Sequence, residues 1–265
     1  MNILQQYADK QVHTAIALLN KYVATTDMET LHQLRVSLKK LKAVLQYLRS
    51  AKVSKTKKSK QSLQLLFHAA GAVRELQLRR QWLLLNMYEA LIAAAQLQHK
   101  EREEENWFIE RSEDWRAILK KLKTKLHQLT AGADHARLLK YSMALKEEIG
   151  QFTFTGATDL HAFRKQVKQL LYAQHWLTNT EKLKLLPVKE SKRLDALQEQ
   201  IGNWHDLVDL FNWLQEQQFY LSKDKLLHTA YANSANKIRL QQKKAEQLLQ
   251  KNTDLTKMPL HKQGH

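Results

Sequence analysis

Apolar residues recur at intervals of three and four along nearly the whole chain, with polar residues between them. This spacing places the apolar side chains on one face of an α-helix and predicts amphipathic helices rather than strands. The 265 residues include only 6 glycines and 2 prolines, which leaves few residues for tight turns. We therefore predict an all-α protein. Its predicted helices cover residues 3–24, 31–49, 61–77, 78–98, 115–129, 135–149, 160–177, 189–202 with a following helix to 217, and 222–249.

The predicted connections are polar or contain turn residues. They comprise residues 51–60, 150–158 and 179–188, with a stop at Gly132, and residues 253–265 are expected to fray.

Two predicted helix starts and one acidic segment complete this local interpretation. Thr26 and Glu29 have the spacing of a capping box for the second helix. Thr158 or Asp159 is the predicted cap of the helix at 160–177. The acidic segment 101–105 is expected to face solvent.

Two of the predicted helices carry the same cationic pattern of His, then Arg three residues later, then Lys seven residues after the His. At about 100° per residue these positions fall within roughly 60° of one another, so they form one stripe on the helix. Each helix is expected to bury its apolar face and to present this stripe elsewhere. The stripe residues are His32, Arg35 and Lys39 in the first helix and His161, Arg164 and Lys168 in the second. The apolar faces comprise Leu34, Leu38, Leu41, Leu45 and Leu48 in the first helix and Phe163, Val167, Leu170 and Leu177 in the second.

The similarity between the two halves extends beyond the stripes. Gly71 follows the first stripe histidine by 39 residues, and Gly202 follows the second by 41. Each glycine is followed four residues later by a carboxylate, Glu75 or Asp206. We interpret this as an internal duplication within one domain spanning residues 1–265. It predicts two pseudo-symmetric bundles of about four helices each, at about 1–130 and 131–252.

The charge indicates the chemistry of the partner. The chain carries 43 Lys and Arg against 26 Asp and Glu, a formal charge of +17, and residues 30–74 contain eleven of these cations and no acid. Such an excess predicts a polyanionic partner, either nucleic acid, an anionic membrane or another phosphate polymer. A soluble protein with a merely basic surface is the simpler alternative.

Several function classes find no support in the sequence. There is no cysteine, which excludes disulfides and thiolate zinc sites. Glu29 and His32 match one element of a di-metal helical bundle, but the second half has Thr158 where the partner glutamate would stand. No P-loop, catalytic triad or zincin motif occurs, so we expect neither catalysis nor a metal or other cofactor. Without a signal peptide or a membrane-spanning apolar run, a cytoplasmic protein is expected.

The combined motifs resemble the CHAD family, the conserved histidine α-helical domain, over nearly the whole chain. Its pattern His-x-x-Arg-x-x-x-basic-basic-x-basic is matched in the first stripe, and its Gly-x-x-Arg-Asp-Leu segment is similar to residues 71–76, with Glu75 in place of Asp. The second stripe matches at His161, Arg164, Lys168 and Tyr172. It has Gln169 and Leu171 where further basic residues are usual in the family. The resemblance implies two helical bundles, a basic channel between them and binding of inorganic polyphosphate, with polyphosphate granules as the expected cellular association. The implied binding residues are His32, Arg35, Lys39, Lys40, Lys42, Arg74, His161, Arg164, Lys165 and Lys168, with Lys192 and Arg193 as outer candidates.

Two alternatives stay open beside polyphosphate binding. The first is a nucleic-acid-binding module that uses the same basic face, and the second is a structural helical protein that adheres to anionic surfaces. Glu75 and Asp206 have two interpretations, either as partners that hold the stripe arginines or as ordinary surface charges.

Overall fold

The computed structural model describes residues 2–53, 56–86, 91–152, 157–220 and 225–253. Within these ranges every regular element is helical, which confirms the predicted all-α class. The elements are α1 (Ile3–Thr25), α2 (Met28–Ser50), α3 (Lys57–Asn86), α4 (Leu91–Glu110), α5 (Ser112–Ala131), α6 (His135–Gly150), α7 (Ala157–Ala173), a 3₁₀ turn (Gln174–Trp176), α8 (Asn179–Leu185), α9 (Val188–Tyr220) and α10 (Lys225–Thr253).

The start of α2 differs from the predicted capping box. Thr26 adopts a left-handed conformation, with φ of 49°, and its N–H donates to Tyr22 O, so it ends α1. The N-cap of α2 is Asp27, whose carboxylate accepts from Thr30 N at 2.8 Å and from Thr30 Oγ1 at 2.6 Å. The prediction of Thr26 and Glu29 was therefore wrong by one residue. A carboxylate at the N-cap satisfies an orphan amide and complements the helix dipole.

Helices α3 and α9 each continue past a predicted helix break. Helix α3 continues through residues 77 and 78, and α9 continues through Gly202. Both predicted breaks were wrong. Residues 77 and 78 are Gln and Leu, which favour a helix, and the glycine at the second break costs a helix only about 1 kcal/mol relative to alanine. Packing on neighbouring helices exceeds that cost, and the flanking residues are good helix formers. Gly71 and Gly202 consequently lie inside long helices, where their missing side chains open space.

The connections also differ in part. Residues 179–185 form α8 instead of a loop, because Thr178 and Glu181 make a capping box and Lys146 donates to Leu185 O at 2.6 Å. Asp159 lies in the first turn of α7 and is not its N-cap, while the Thr158 side chain lies outside the described residues. Helix α3 begins at Lys57, inside the predicted connection 51–60. The predicted frayed tail lies outside the described residues except for Thr253, which ends α10.

The acidic segment 101–105 is not uniformly exposed. Glu101 is 7% exposed and accepts from Arg80 Nε at 2.5 Å. Glu105 accepts from the Tyr22 hydroxyl at 2.6 Å, and this bond together with burial raises the pKa of Tyr22. These two acids therefore connect α4 to α3 and α1, which the local charge pattern could not indicate.

The chain divides into two compact units. The first comprises Met1–Leu139 and His175–Leu177, and the second comprises Lys140–Gln174 and the chain from Thr178 onward. In the first unit α1 packs on α2 and α5, and α3 packs on α2 and α4; in the second, α9 packs on α7 and α10. The duplication and the half boundaries stay predictions.

The predicted apolar faces form the cores of these packings. On α2, Leu34, Leu38 and Leu41 are fully buried. On α7, Phe163 and Val167 are fully buried as well. Each of these two helices therefore turns its cationic stripe away from its own apolar core. Among the described residues no helix has the length and apolar character that crossing a bilayer requires.

Candidate functional site

The first cationic cluster is built where α2 packs on α3. Arg35 Nη1 donates to the backbone carbonyl of Phe67 at 2.9 Å. The Arg35 guanidinium carbon also lies 4.4 Å from the centroid of the Phe67 ring, within the range of a cation–π contact. The side chain is thus held at two points, and its remaining N–H groups are left for other acceptors.

Gly71 makes this arrangement possible. A Cβ atom added at Gly71 would lie 2.5 Å from Arg35 Nη1. In a helix the carbonyl of one residue points toward the residue four positions later, and Gly71 stands four residues after Phe67. The absence of a side chain at position 71 therefore opens the Phe67 carbonyl to the guanidinium.

The second unit repeats this relationship between α7 and α9. Arg164 Nε donates to the backbone carbonyl of Gln198 at 3.0 Å. Gln198 stands four residues before Gly202, and a Cβ atom added at Gly202 would lie 2.9 Å from Arg164 Cζ. Two arginines in different units therefore dock on a helix carbonyl beside a glycine in the same way.

Cations concentrate around Arg35. Burial lowers the pKa of Arg35, and the neighbouring charge of Arg74 lowers it further. His32 keeps part of its surface in solvent, yet loss of water around the ring lowers its pKa, and Arg74, Lys39 and Arg35 act in the same direction against Glu29. Lys42 Nζ lies 5.5 Å from the Phe67 ring centroid. We define the first cluster as the cationic residues that these contacts and charge effects connect to Arg35. It comprises His32, Arg35, Lys39, Lys42 and Arg74.

The environment of Arg164 is similar. Burial lowers the pKa of Lys168, and the charge of Arg164 adds to this effect while Asp195 and Asp206 oppose it. Burial raises the pKa of the Tyr172 hydroxyl, and Arg164 opposes that shift.

His161 lies in the same region of α7. Burial lowers the pKa of its ring, and Lys165, His205 and Arg164 lower it further while Asp209 opposes them. The second cluster comprises His161, Arg164, Lys165, Lys168 and His205.

The two clusters differ three residues after the glycine. The first unit has Arg74 there, and the second has His205. The His205 ring lies 4.9 Å from the His161 ring, centroid to centroid, and its Nδ1 is 3.0 Å from an oxygen of Asp209. Among the described residues, His161 Nδ1 is buried without a hydrogen-bond partner.

The remaining predicted residues lie at the periphery. Lys40 is half-buried on α2. Lys192 and Arg193 are exposed on α9, about two and a half turns before Gly202. They share helix α9 with His205 of the second cluster.

The two acids near the glycines have different surroundings. Glu75 forms an ion pair with Arg79 on its own helix and opposes the lowering of the pKa of Arg35. Asp206 is exposed, and its charge opposes the lowering of the pKa of Lys168. Both therefore act on a cluster through their charge.

Phe67 and Gln198 are the site residues that the sequence analysis missed. They contribute backbone carbonyls, which no side-chain pattern indicates. Their position four residues before Gly71 and Gly202 is the signal that would have identified them. Within the described ranges, no group of three or more histidines and acids is arranged to hold a metal ion.

Comparison with known proteins gives two findings. A family model described as the CHAD domain matches residues 6–215. The crystal structure of the CHAD domain from the plant Ricinus communis is similar, with 17% sequence identity, a TM-score of 0.75, and coverage of 98% of this chain and 94% of that one. At this identity the similarity shows a shared fold. No curated protein matches the sequence significantly.

Proposed function

Because this chain belongs to the CHAD family, we propose that it binds inorganic polyphosphate through its two cationic clusters, as a binding protein and not an enzyme. The expected ligand is cytoplasmic polyphosphate, free or in granules. That both clusters contact one polymer in a shared channel is part of this proposal.

The observation that carries the proposal is the grouping of partly buried cations around each docked arginine. Arg35 and Arg74 disfavour each other's charge and that of His32, and Arg164 disfavours the charge of Lys168 and His161. Grouping cations at partly buried positions is unfavourable unless an anion offsets the repulsion. Such clusters at defined positions are typical of functional sites rather than of a solvated surface.

The donor chemistry favours phosphate oxygens. An arginine docked on a carbonyl keeps free N–H groups in a planar fork that matches phosphate geometry, and lysine adds mobile point charges. Polyphosphate offers oxygens along its whole length and no bases. Its repeating charge therefore suits two clusters of similar geometry on one chain, since a polymer that engages both gains effective concentration.

Affinity measured by competition tests this proposal. Long-chain polyphosphate is compared with DNA and RNA of equal total charge at one salt concentration. We expect polyphosphate to bind tightest to the wild-type protein. Preferential binding of a nucleic acid, changed by single base substitutions, would instead support the nucleic-acid-binding alternative.

Charge-matched variants separate the clusters from diffuse attraction. The double variant Arg35→Ala/Arg164→Ala and the control Lys57→Ala/Lys58→Ala each remove two positive charges. Lys57 and Lys58 are exposed at the start of α3. We expect the arginine variant to lose much more affinity. An equal loss in both would indicate binding by overall surface charge.

A further inference from the structure

The ring contact between His161 and His205 distinguishes the second cluster from the first, where Arg74 occupies the position of His205. An arginine is charged at every physiological pH, whereas histidine changes its charge between about pH 5 and 8. Both clusters contain one histidine on the stripe helix. Only the second adds another in ring contact with it.

From this arrangement we infer that the second cluster is a proton-linked binding site, in which polyphosphate binds together with protons taken up by His161 and His205, while the first cluster binds with a largely permanent charge. This inference rests on the proposed function and adds the regulation of the same site.

The groups facing the pair determine the direction of the effect. His161 faces Lys165 and Arg164 on its own helix, and His205 and Asp209 on α9. Its charged form is disfavoured by burial first and then by three of these four neighbours, with the Asp209 carboxylate opposing them. His205 has that carboxylate 3.0 Å from its Nδ1. With no ligand bound, a second proton on the histidine pair is repelled by the charge of the first proton and by the charges of Lys165 and Arg164.

A bound phosphate reverses this balance. Its negative charge offsets the repulsion from Lys165 and Arg164, so the charged form of the His161 ring becomes more favourable. His161 Nδ1, buried without a hydrogen-bond partner among the described residues, becomes an additional N–H donor once protonated. By linkage, affinity then rises as pH falls, by up to about tenfold per pH unit for each proton taken up.

Reciprocal substitutions test the inference. His205→Arg gives the second cluster the arginine of the first, and Arg74→His gives the first cluster the histidine of the second. We expect His205→Arg to bind polyphosphate more tightly at pH 8. The number of protons taken up on binding should fall by up to one. Arg74→His should weaken binding at pH 8 severalfold, and its binding of polyphosphate should be accompanied by the uptake of up to one additional proton.

A control on the same helix separates titration from added charge. Asn203 is exposed on α9, and Asn203→Arg adds a permanent charge while leaving both histidines in place. We expect Asn203→Arg to keep the wild-type pH dependence. The same loss of pH dependence in Asn203→Arg and His205→Arg would overturn the inference.

The measurements are affinities for long-chain polyphosphate at pH 6, 7 and 8 at fixed ionic strength, and proton uptake from calorimetry in two buffers of different ionisation enthalpy. NMR titration of the two imidazoles in the wild type gives the answer without any variant, should one fail to fold. Unchanged ring titration on adding polyphosphate, or wild-type proton uptake in His205→Arg, would overturn the inference alone. Absence of polyphosphate binding at every pH would instead refute the proposed function.

Discussion

Arg35 occupies the space that any side chain at position 71 would fill, with its Nη1 atom 2.5 Å from the place of a Cβ atom on Gly71. Arg164 and Gly202 have the same relationship. Glycine at these positions costs helix stability, about 1 kcal/mol each relative to alanine. Glycine at these positions therefore leaves room for the guanidinium group and does not stabilise the helix.

This relationship predicts that Gly71→Ala weakens polyphosphate binding without a large loss of stability. The added methyl group displaces the flexible end of Arg35 from the Phe67 carbonyl, and the gain in helix propensity offsets part of the lost hydrogen bond. We expect the free energy of unfolding to change by no more than about 1 kcal/mol while affinity falls severalfold. Chemical denaturation and a binding titration measure the two quantities.

Gly132 provides the control for this substitution. Among the described residues, and apart from its chain neighbours, nothing lies within 4 Å of a Cβ added there, so Gly132→Ala should leave affinity unchanged. If Gly71→Ala retained wild-type affinity, the docked conformation of Arg35 would not be the one that binds.

A second prediction concerns salt. If each docked arginine neutralises one phosphate, the slope of log affinity against log salt should become shallower by about 0.7 for each arginine removed, by analogy with single-stranded nucleic acid. Salt titrations of the wild type and of Arg35→Ala/Arg164→Ala give the slopes. The control Lys57→Ala/Lys58→Ala should keep a slope close to that of the wild type, and a greater change in the control would refute the model.

A third prediction concerns the stability of the free protein at low pH. The pKa of His161 lies below its ordinary value of 6.5 in the folded protein, so the unfolded chain binds the proton more readily. The stabilising effect of the neutral ring is fully present above pH 6.5 and is lost as pH falls toward the folded-state pKa. We expect the melting temperature to decrease between pH 7 and 5.5, and to decrease less in His161→Gln.

The exposed histidine His13 supplies the comparison for this measurement. His13→Gln should melt with the pH dependence of the wild type. If His161→Gln and the wild type lost stability equally on acidification, the disfavoured charge on His161 would not contribute.

A fourth prediction distinguishes the observed start of α2 from the one expected from its sequence. Asp27→Ala removes the carboxylate that accepts from Thr30, and it should lower the midpoint of urea denaturation. Thr26→Ala should have a smaller effect, because Thr26 ends α1. The midpoints of urea denaturation compare the two variants. A larger loss of stability in Thr26→Ala than in Asp27→Ala would indicate that Thr26 is the N-cap.

Hydrophobic periodicity by itself determined the helical class and the buried faces. Leu34, Leu38 and Phe163 are buried as predicted. Such predictions succeed because the period of a helix is a local property, and burial of its apolar face is the main stabilising contribution. The cationic stripes were predictable for the same reason, since the residues of a stripe share one helix.

Only the tertiary structure decided how the stripes become clusters. The Phe67 and Gln198 carbonyls belong to other helices than the arginines they bind, and a backbone acceptor leaves no trace in a residue pattern. Packing also decided that Gly202 lies within a continuous helix, and that Glu101 is buried against Arg80. In each case the partner is distant in sequence, so its effect depends on which helices pack together and not on the local pattern of residues.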